Sequence, residues 1–227
     1  SYILIILNGI NDKSLMTTEK IHQITKSDLR QIAYLHIYGK KNSRENFNQD
    51  SKFRFFLDKV KHFYQFDKKS IIVERDENNL ISGVLIYTYD EKKFNEFSSP
   101  YHLRFYIKLL KIFLGLYGFD FKKFFLASKS MLGFNIKQIN KNITSDSSNF
   151  AKIWVLIVAE EDRNKGIASK LLQKCIEETK KRGIKSIIVT VKKDNIPAIK
   201  TYTKNGFTTI GECLESSGKS YIMEKSN

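Results

Sequence analysis

The spacing of apolar positions changes several times along the chain, and each change marks an element. Leu29, Ile32, Ala33, His36 and Ile37 recur at helical spacing, which predicts an amphipathic helix. Thr25-Lys26-Ser27-Asp28 before it has the form of a capping box with Asp in the Glu position. The run from Ile21 to Ile24 reads as a short strand leading into this helix, and Phe53, Phe56, Leu57, Val60 and Phe63 predict a second helix within 47–66. Ser70 to Glu74 and Ile81 to Tyr89 are apolar runs around the polar turn Asp76-Glu77-Asn78-Asn79, the signature of a hairpin. Trp154 to Val158 and Ser186 to Val191 are further strands, each followed by a helix. In the first of those helices Ala168, Leu171, Leu172, Cys175, Ile176 and Thr179 form the core stripe, Lys170, Lys174 and Glu178 face solvent, and Gly183 stops it. Phe207 to Cys213 and Ser220 to Glu224 around Ser216-Ser217-Gly218 make a closing hairpin.

Residues 91–149 interrupt this alternation. Their centre, 101–117, is apolar on nearly all sides except for Arg104, Lys108 and Lys111. A helix of that kind needs cover. Four covers are open to it: Phe119, Phe121, Phe124, Phe125 and Met131 of the same insertion, the acceptor side of a catalytic domain as a lid, a second copy in a homodimer, or a lipid surface.

The junction after Val158 carries candidate chemistry. An apolar strand runs through Glu160-Glu161-Asp162-Arg163-Asn164-Lys165-Gly166 into the helix that opens at Ile167. The first amides of a helix have no partner inside it, and the peptide dipoles leave positive charge there, so the turn suits a phosphate or pyrophosphate. Arg163 and Lys165 add formal charge, and Gly166 lets the main chain approach the anion. About thirty residues downstream, directly after the strand at Ser186–Val191, comes Asn195-Ile196-Pro197-Ala198-Ile199-Lys200-Thr201-Tyr202-Thr203-Lys204-Asn205-Gly206-Phe207.

Together these two segments resemble the GCN5-related N-acetyltransferase (GNAT) superfamily. Arg163-x-x-Gly166-x-Ala168 matches its glycine turn, and Asn195, Ala198, Tyr202, Gly206 and Phe207 match its downstream signature. The resemblance extends over 150–227 and, more loosely, 20–90. It implies an α/β fold, a mixed α+β sheet of the acyl-CoA N-acyltransferase type, with the helical insertion between the third and fourth strands. It also implies acetyl-CoA as co-substrate, no metal, and a primary amine as acceptor. Carried over by position, Leu156, Ile157 and Val158 offer backbone bonds to the pantetheine arm, and Arg163, Asn164, Lys165, Gly166, Ile167, Ala168 and Ser169 hold the pyrophosphate. Asn195 contacts the pantetheine, and Tyr202 faces the sulfur as general acid. The strand from 152 to 158 contains no acidic residue, so a base from its middle is excluded. Glu160 and Glu161 end that strand beside the site, with Glu160 the catalytic candidate, Glu74, Tyr87 and Tyr89 weaker ones, and a water chain an alternative.

Composition adds limits. The chain has 227 residues, 41% of them hydrophobic, which suffices for one core with an inserted subdomain. Its two cysteines lack metal or redox spacing and read as small core residues of a cytoplasmic protein. No run approaches the ~20 apolar residues of a membrane span. The expected organisation is an extension at 1–15, with Met16 as the natural start, then a single domain at 16–227 containing the insertion. The net charge of +15 is spread along the chain, so solvated lysine faces are expected in place of a nucleic-acid patch. Such charge would speed encounter with a polyanionic cofactor. Two other functions remain open: a non-catalytic acyl-CoA sensor on the same scaffold, and a basic RNA- or ribosome-associated module.

Overall fold

A computed structural model describes residues 24–41, 51–90, 93–98, 149–215 and 218–227. The expected strand at Ile21–Ile24 lies outside them except for Ile24, as do residues 1–15 and the apolar helix at 101–117.

Helix α1 spans Lys26–Tyr38, and the expected capping box is present. The Thr25 amide donates to Asp28 Oδ2 at 2.7 Å, and the Asp28 amide donates to Thr25 Oγ1 at 3.2 Å. Gly39 ends the helix in the left-handed conformation and returns its N–H to Leu35 O. Leu29, Ile32, Ala33 and Leu35 are buried, whereas His36 and Ile37 are half-buried. The buried arc is therefore rotated toward Leu35, because α1 packs on the sheet and on helix α2 (Ser51–Phe66) at once.

The hairpin strands are β1 (Ile71–Arg75) and β2 (Ile81–Thr88). In the turn between them Asp76 Oδ1 accepts from the Asn78 and Leu80 amides, and Asn79 takes a positive φ of 62°. The remaining elements are β3 (Phe150–Val158), α3 (Ile167–Lys181), β4 (Ser186–Lys192), α4 (Ile196–Lys204), β5 (Thr208–Glu215) and β6 (Gly218–Ser226). The six strands are ordered β1-β2-β3-β4-β6-β5. All neighbours are antiparallel except β3 and β4, which run parallel.

Every residue of β2 is buried, so the sheet carries a core on each face. Leu85 and Tyr87 pack under α3 and α4 with Leu171, Leu172, Cys175, Ile176, Ile187, Val189, Tyr202 and Phe207. Val84 and Ile86 pack under α1 and α2 with Ile32, Leu35, Phe53 and Val60. Strand alternation sends successive side chains to opposite faces, and β2 follows it through these four positions. Leu171, Leu172, Cys175, Ile176 and Thr179 of the expected α3 stripe are buried and Ala168 is half-buried, while Lys170, exposed as expected, and the half-buried Lys174 reach Glu74 of β1 at 2.9 and 2.6 Å. Cys175 is buried, whereas Cys213 is only half-buried because it sits on the edge strand β5.

Candidate active site

The site begins where the two parallel strands part. Pairing between β3 and β4 runs from Phe150↔Ser186 to Ile153↔Val189 and stops there, although β3 continues to Val158 and β4 to Lys192. The cause is visible on the other edge of β3. Ile86 pairs with Val155 and Tyr87 with Ile153, so Trp154 is an extra residue in the ladder. Such a bulge bends a strand and increases its local twist. It also reverses the side-chain alternation. Ala151 and Ile153 belong to the core under α3, whereas Val155 and Ile157 pack toward α1 and α2. Beyond the bulge β2 still pairs with β3 as far as Val158. Alternate backbone groups of an antiparallel strand point away from its partner, so within 154–158 they point into the opening that β4 has left. Leu156, Ile157 and Val158 lie on this rim.

After Val158 the chain makes a short 3-10 turn at Glu160–Asp162 and enters α3. Asn164 and Gly166 adopt positive φ of 65° and 79°. Gly166 is the N-cap, and no side chain caps the helix. The first return bond is Lys170 N to Gly166 O at 3.1 Å, which leaves the Ile167, Ala168 and Ser169 amides without an intrahelical acceptor. A Cβ built on Gly166 meets nothing within 4 Å. Glycine is needed there for its φ, and the space in front of it is open.

Asp162, which sequence reasoning passed over, holds this turn. It is buried at 5% exposure, its Oδ1 accepts from Lys165 Nζ at 2.7 Å, and its Oδ2 forms an ion pair with Lys41 Nζ at 2.9 Å. Lys41 also reaches Asp76 at 2.7 Å, and its own amide donates to Glu161 Oε1. The Lys165 bond, followed by Lys41, holds the Asp162 carboxyl well below the usual carboxylate range against its own desolvation. The ammonium of Lys165 is thus bound to Asp162, and the guanidinium of Arg163 lies 3.9 Å from the half-exposed Glu160 carboxylate. An anion at this turn meets chiefly main-chain amides. The i,i+3 spacing of Asp162 and Lys165 was the available sequence signal.

The downstream motif packs against the same turn. Asn195 caps α4, its Oδ1 accepting from the Ala198 amide at 3.3 Å. Asn205 at the other end donates from Nδ2 to Ser169 Oγ at 3.0 Å, and Gln173 Nε2 donates to its Oδ1 at 3.2 Å. Tyr202 is 5% exposed, edge-on to Phe207 at 5.4 Å, and burial pushes its phenol upward.

The acetyltransferase (GNAT) family model matches residues 36–207. The chain belongs to this family. Mycothiol acetyltransferase of Corynebacterium aurimucosum is 31% identical over 67 residues, which is 30% of this chain and 22% of that protein. The chain thus aligns with less than a quarter of that relative. An N-acetyltransferase structure from Staphylococcus aureus Mu50 has a TM-score of 0.54 at 17% identity, covering 89% of this chain and 98% of the other. The NatC complex bound to Gag peptide and CoA has a TM-score of 0.52 at 12% identity, covering 89% and 92%. At these identities the two structures establish a shared fold.

Within the GNAT sheet the remaining candidate bases fall in different settings. Burial acts to raise the Glu74 carboxyl, but the Lys174 and Lys170 ammonium groups outweigh it and hold the group low, so it is a poor proton acceptor. Tyr87 is fully buried under α3, and burial pushes its phenol upward. Tyr89 lies under the Arg182 guanidinium at 4.3 Å. Glu160 is half-exposed at the strand end, its backbone N–H bound to Gly39 O at 2.8 Å. Among the described residues no cluster of His, Cys, Asp or Glu could hold a metal, and no helix is long and apolar enough to cross a membrane.

Proposed function

We propose that the protein is an acetyl-CoA-dependent N-acetyltransferase that acetylates a primary amine by direct transfer. The observation that carries this reading is the parting of β3 and β4 after Ile153 beside the uncapped N-terminus of α3. The amides of Ile167, Ala168 and Ser169, with Arg163, Asn164, Lys165 and Gly166 around them, hold the pyrophosphate. The free backbone edge at Leu156, Ile157 and Val158 hydrogen-bonds the pantetheine arm. Asn195 borders the same arm while its Oδ1 caps α4.

With the thioester in the opening, an amide of the β3 rim near Val158 donates to the oxygen on which negative charge develops, a contribution of ~3 kcal/mol for one such donor. The acceptor ammonium loses a proton to Glu160, directly or through water, and its nitrogen attacks the carbonyl carbon. The C–S bond then breaks, and the sulfur leaves with its electron pair. A phenol raised by burial stays protonated at neutral pH and is a weaker acid than a thiol of pKa ~8.5. Tyr202 therefore donates a hydrogen bond to the departing sulfur, and the proton that finally rests there is one released by the nitrogen. The products are the N-acetylated amine and coenzyme A. Mass spectrometry after incubation with acetyl-CoA and pooled amino acids, polyamines, aminoglycosides, arylalkylamines and peptides tests the reading. An acetylated product with equal release of free thiol is expected, and cofactor binding without any product would assign the protein to the sensors.

A further inference from the structure

The bulged residue Trp154 is the only tryptophan of the chain, and it stands at the point where the cleft opens. Its ring is fixed. Nε1–H donates to Thr88 Oγ1 at 2.9 Å, and the ring lies 6.0 Å from Phe63 of α2 and 5.8 Å from Phe94. Phe94 belongs to a short helical segment, 93–98, where the insertion begins. It stacks on Phe63 at 5.0 Å and meets Phe66 edge-on at 5.1 Å. The same segment is tied to α2 by the 2.8 Å contact of His62 Nε2 with Ser98 Oγ. Despite this backing Trp154 remains 39% exposed. Phe63 places it on the α2 side of the sheet, opposite the face that α3 covers.

Electrostatics narrows what this wall can receive. Lys152 Nζ lies 4.5 Å above the Trp154 ring, so a cation–π position is already filled. Asp90, two residues beyond the Thr88 that holds the indole, is paired with Lys93 at 3.2 Å. A polycation would meet Lys152 there and gain little, whereas an apolar ring would gain contact area and offset-stacked or edge geometry.

We propose that Trp154, backed by Phe63 and Phe94, is the specificity wall for the acceptor and selects an amine carried on an aromatic or bulky apolar group over polyamines. This inference rests on the acetyl-transfer reading above and names its substrate class. Its test uses the full chain saturated with coenzyme A, titrated with 2-phenylethylamine or with spermidine while the emission of the single tryptophan is followed. Steady-state rates with acetyl-CoA and each amine are measured alongside. 2-Phenylethylamine should change the emission saturably, with a midpoint near its KM, and spermidine should need at least about tenfold more. Trp154→Ala should raise KM for 2-phenylethylamine about tenfold with a smaller change in kcat, and Trp154→Phe should recover most of the loss by keeping a ring against Phe63 and Phe94. Unchanged emission, preference for spermidine, or an unaltered KM in a folded Trp154→Ala overturns the wall. Turnover with spermidine alone removes the wall and leaves the acetyltransferase standing, whereas failure of coenzyme A to raise the melting temperature of the wild-type protein removes both.

Discussion

Asn205 donates its side-chain amide to Ser169 Oγ at 3.0 Å, and this bond joins the two halves of the sequence signature. Ser169 lies in the first turn of α3. Asn205 is the C-cap of α4, where its Nδ2 also reaches Thr201 O at 2.8 Å. The helix whose first amides are uncapped and the helix that carries Tyr202 are thereby held in one register.

Asn205→Ala should cost about 0.5–1.5 kcal/mol in urea unfolding, the net worth of a typical hydrogen bond, because Asn205 is buried while its partners Ser169 and Gln173 keep access to water. The same change should weaken coenzyme A binding several-fold in calorimetric titration, since the first turn of α3 loses a tether. Full stability and affinity would reduce the bond to an incidental contact.

Tyr202→Phe keeps the ring against Phe207 and removes the hydroxyl. Coenzyme A affinity should hold, and turnover should fall by roughly 10- to 10²-fold, the loss expected for a hydrogen bond of about 1.5–3 kcal/mol to a sulfur gaining negative charge. Equal turnover under conditions where chemistry limits the rate would make Tyr202 a core residue alone.

Much of this architecture was legible in the sequence. The Thr25–Asp28 box, the hairpin around Asp76 and the α3 stripe from Leu171 to Thr179 are local patterns that set their own structure. The bulge at Trp154 was not legible, because its cause is a register mismatch with β2 that no short window contains. Neither was the double pairing of Lys41 with Asp162 and Asp76, since those residues lie 121 and 35 positions away. Both determine the site: one opens the strands and the other fixes the turn. His36, placed by its spacing on the apolar stripe of α1, is only half-buried and rests its ring on Phe56 at 4.0 Å.

That setting has a pH consequence. Burial, with a smaller effect from Lys59, lowers His36 to about 4. In the unfolded chain an ordinary histidine titrates near ~6.5, so between these values the unfolded state binds the extra proton. The stabilising contribution is full above about 6.5 and is lost as pH falls toward about 4. In His36→Phe this part of the acid destabilisation should disappear from the urea midpoint measured across that window. An unchanged profile would show that His36 is not its source.

Asp162→Asn tests the frame of the turn. It removes the charge that Lys41 and Lys165 share, and should destabilise the fold by about 1.5–3 kcal/mol, the range for hydrogen bonds to charged groups. Because the Asp162 carboxyl is held low when folded, its contribution is present above the ordinary carboxylate range and fades under more acidic conditions. The difference between wild type and variant should therefore narrow as pH drops below about 4. A constant difference would assign the effect to packing.

The central claim is that the α3 N-terminus beside the parted strands holds coenzyme A, and thermal unfolding with and without the cofactor tests it most directly. At a hundredfold excess over its dissociation constant, coenzyme A should stabilise the wild-type protein by ~2.7 kcal/mol. Gly166→Asn tolerates the positive φ of 79° better than most replacements and should retain part of that gain. Gly166→Asp, of the same shape but negative, should lose it. The result that would contradict the account is a folded Gly166→Asp protein stabilised by coenzyme A as fully as the wild type.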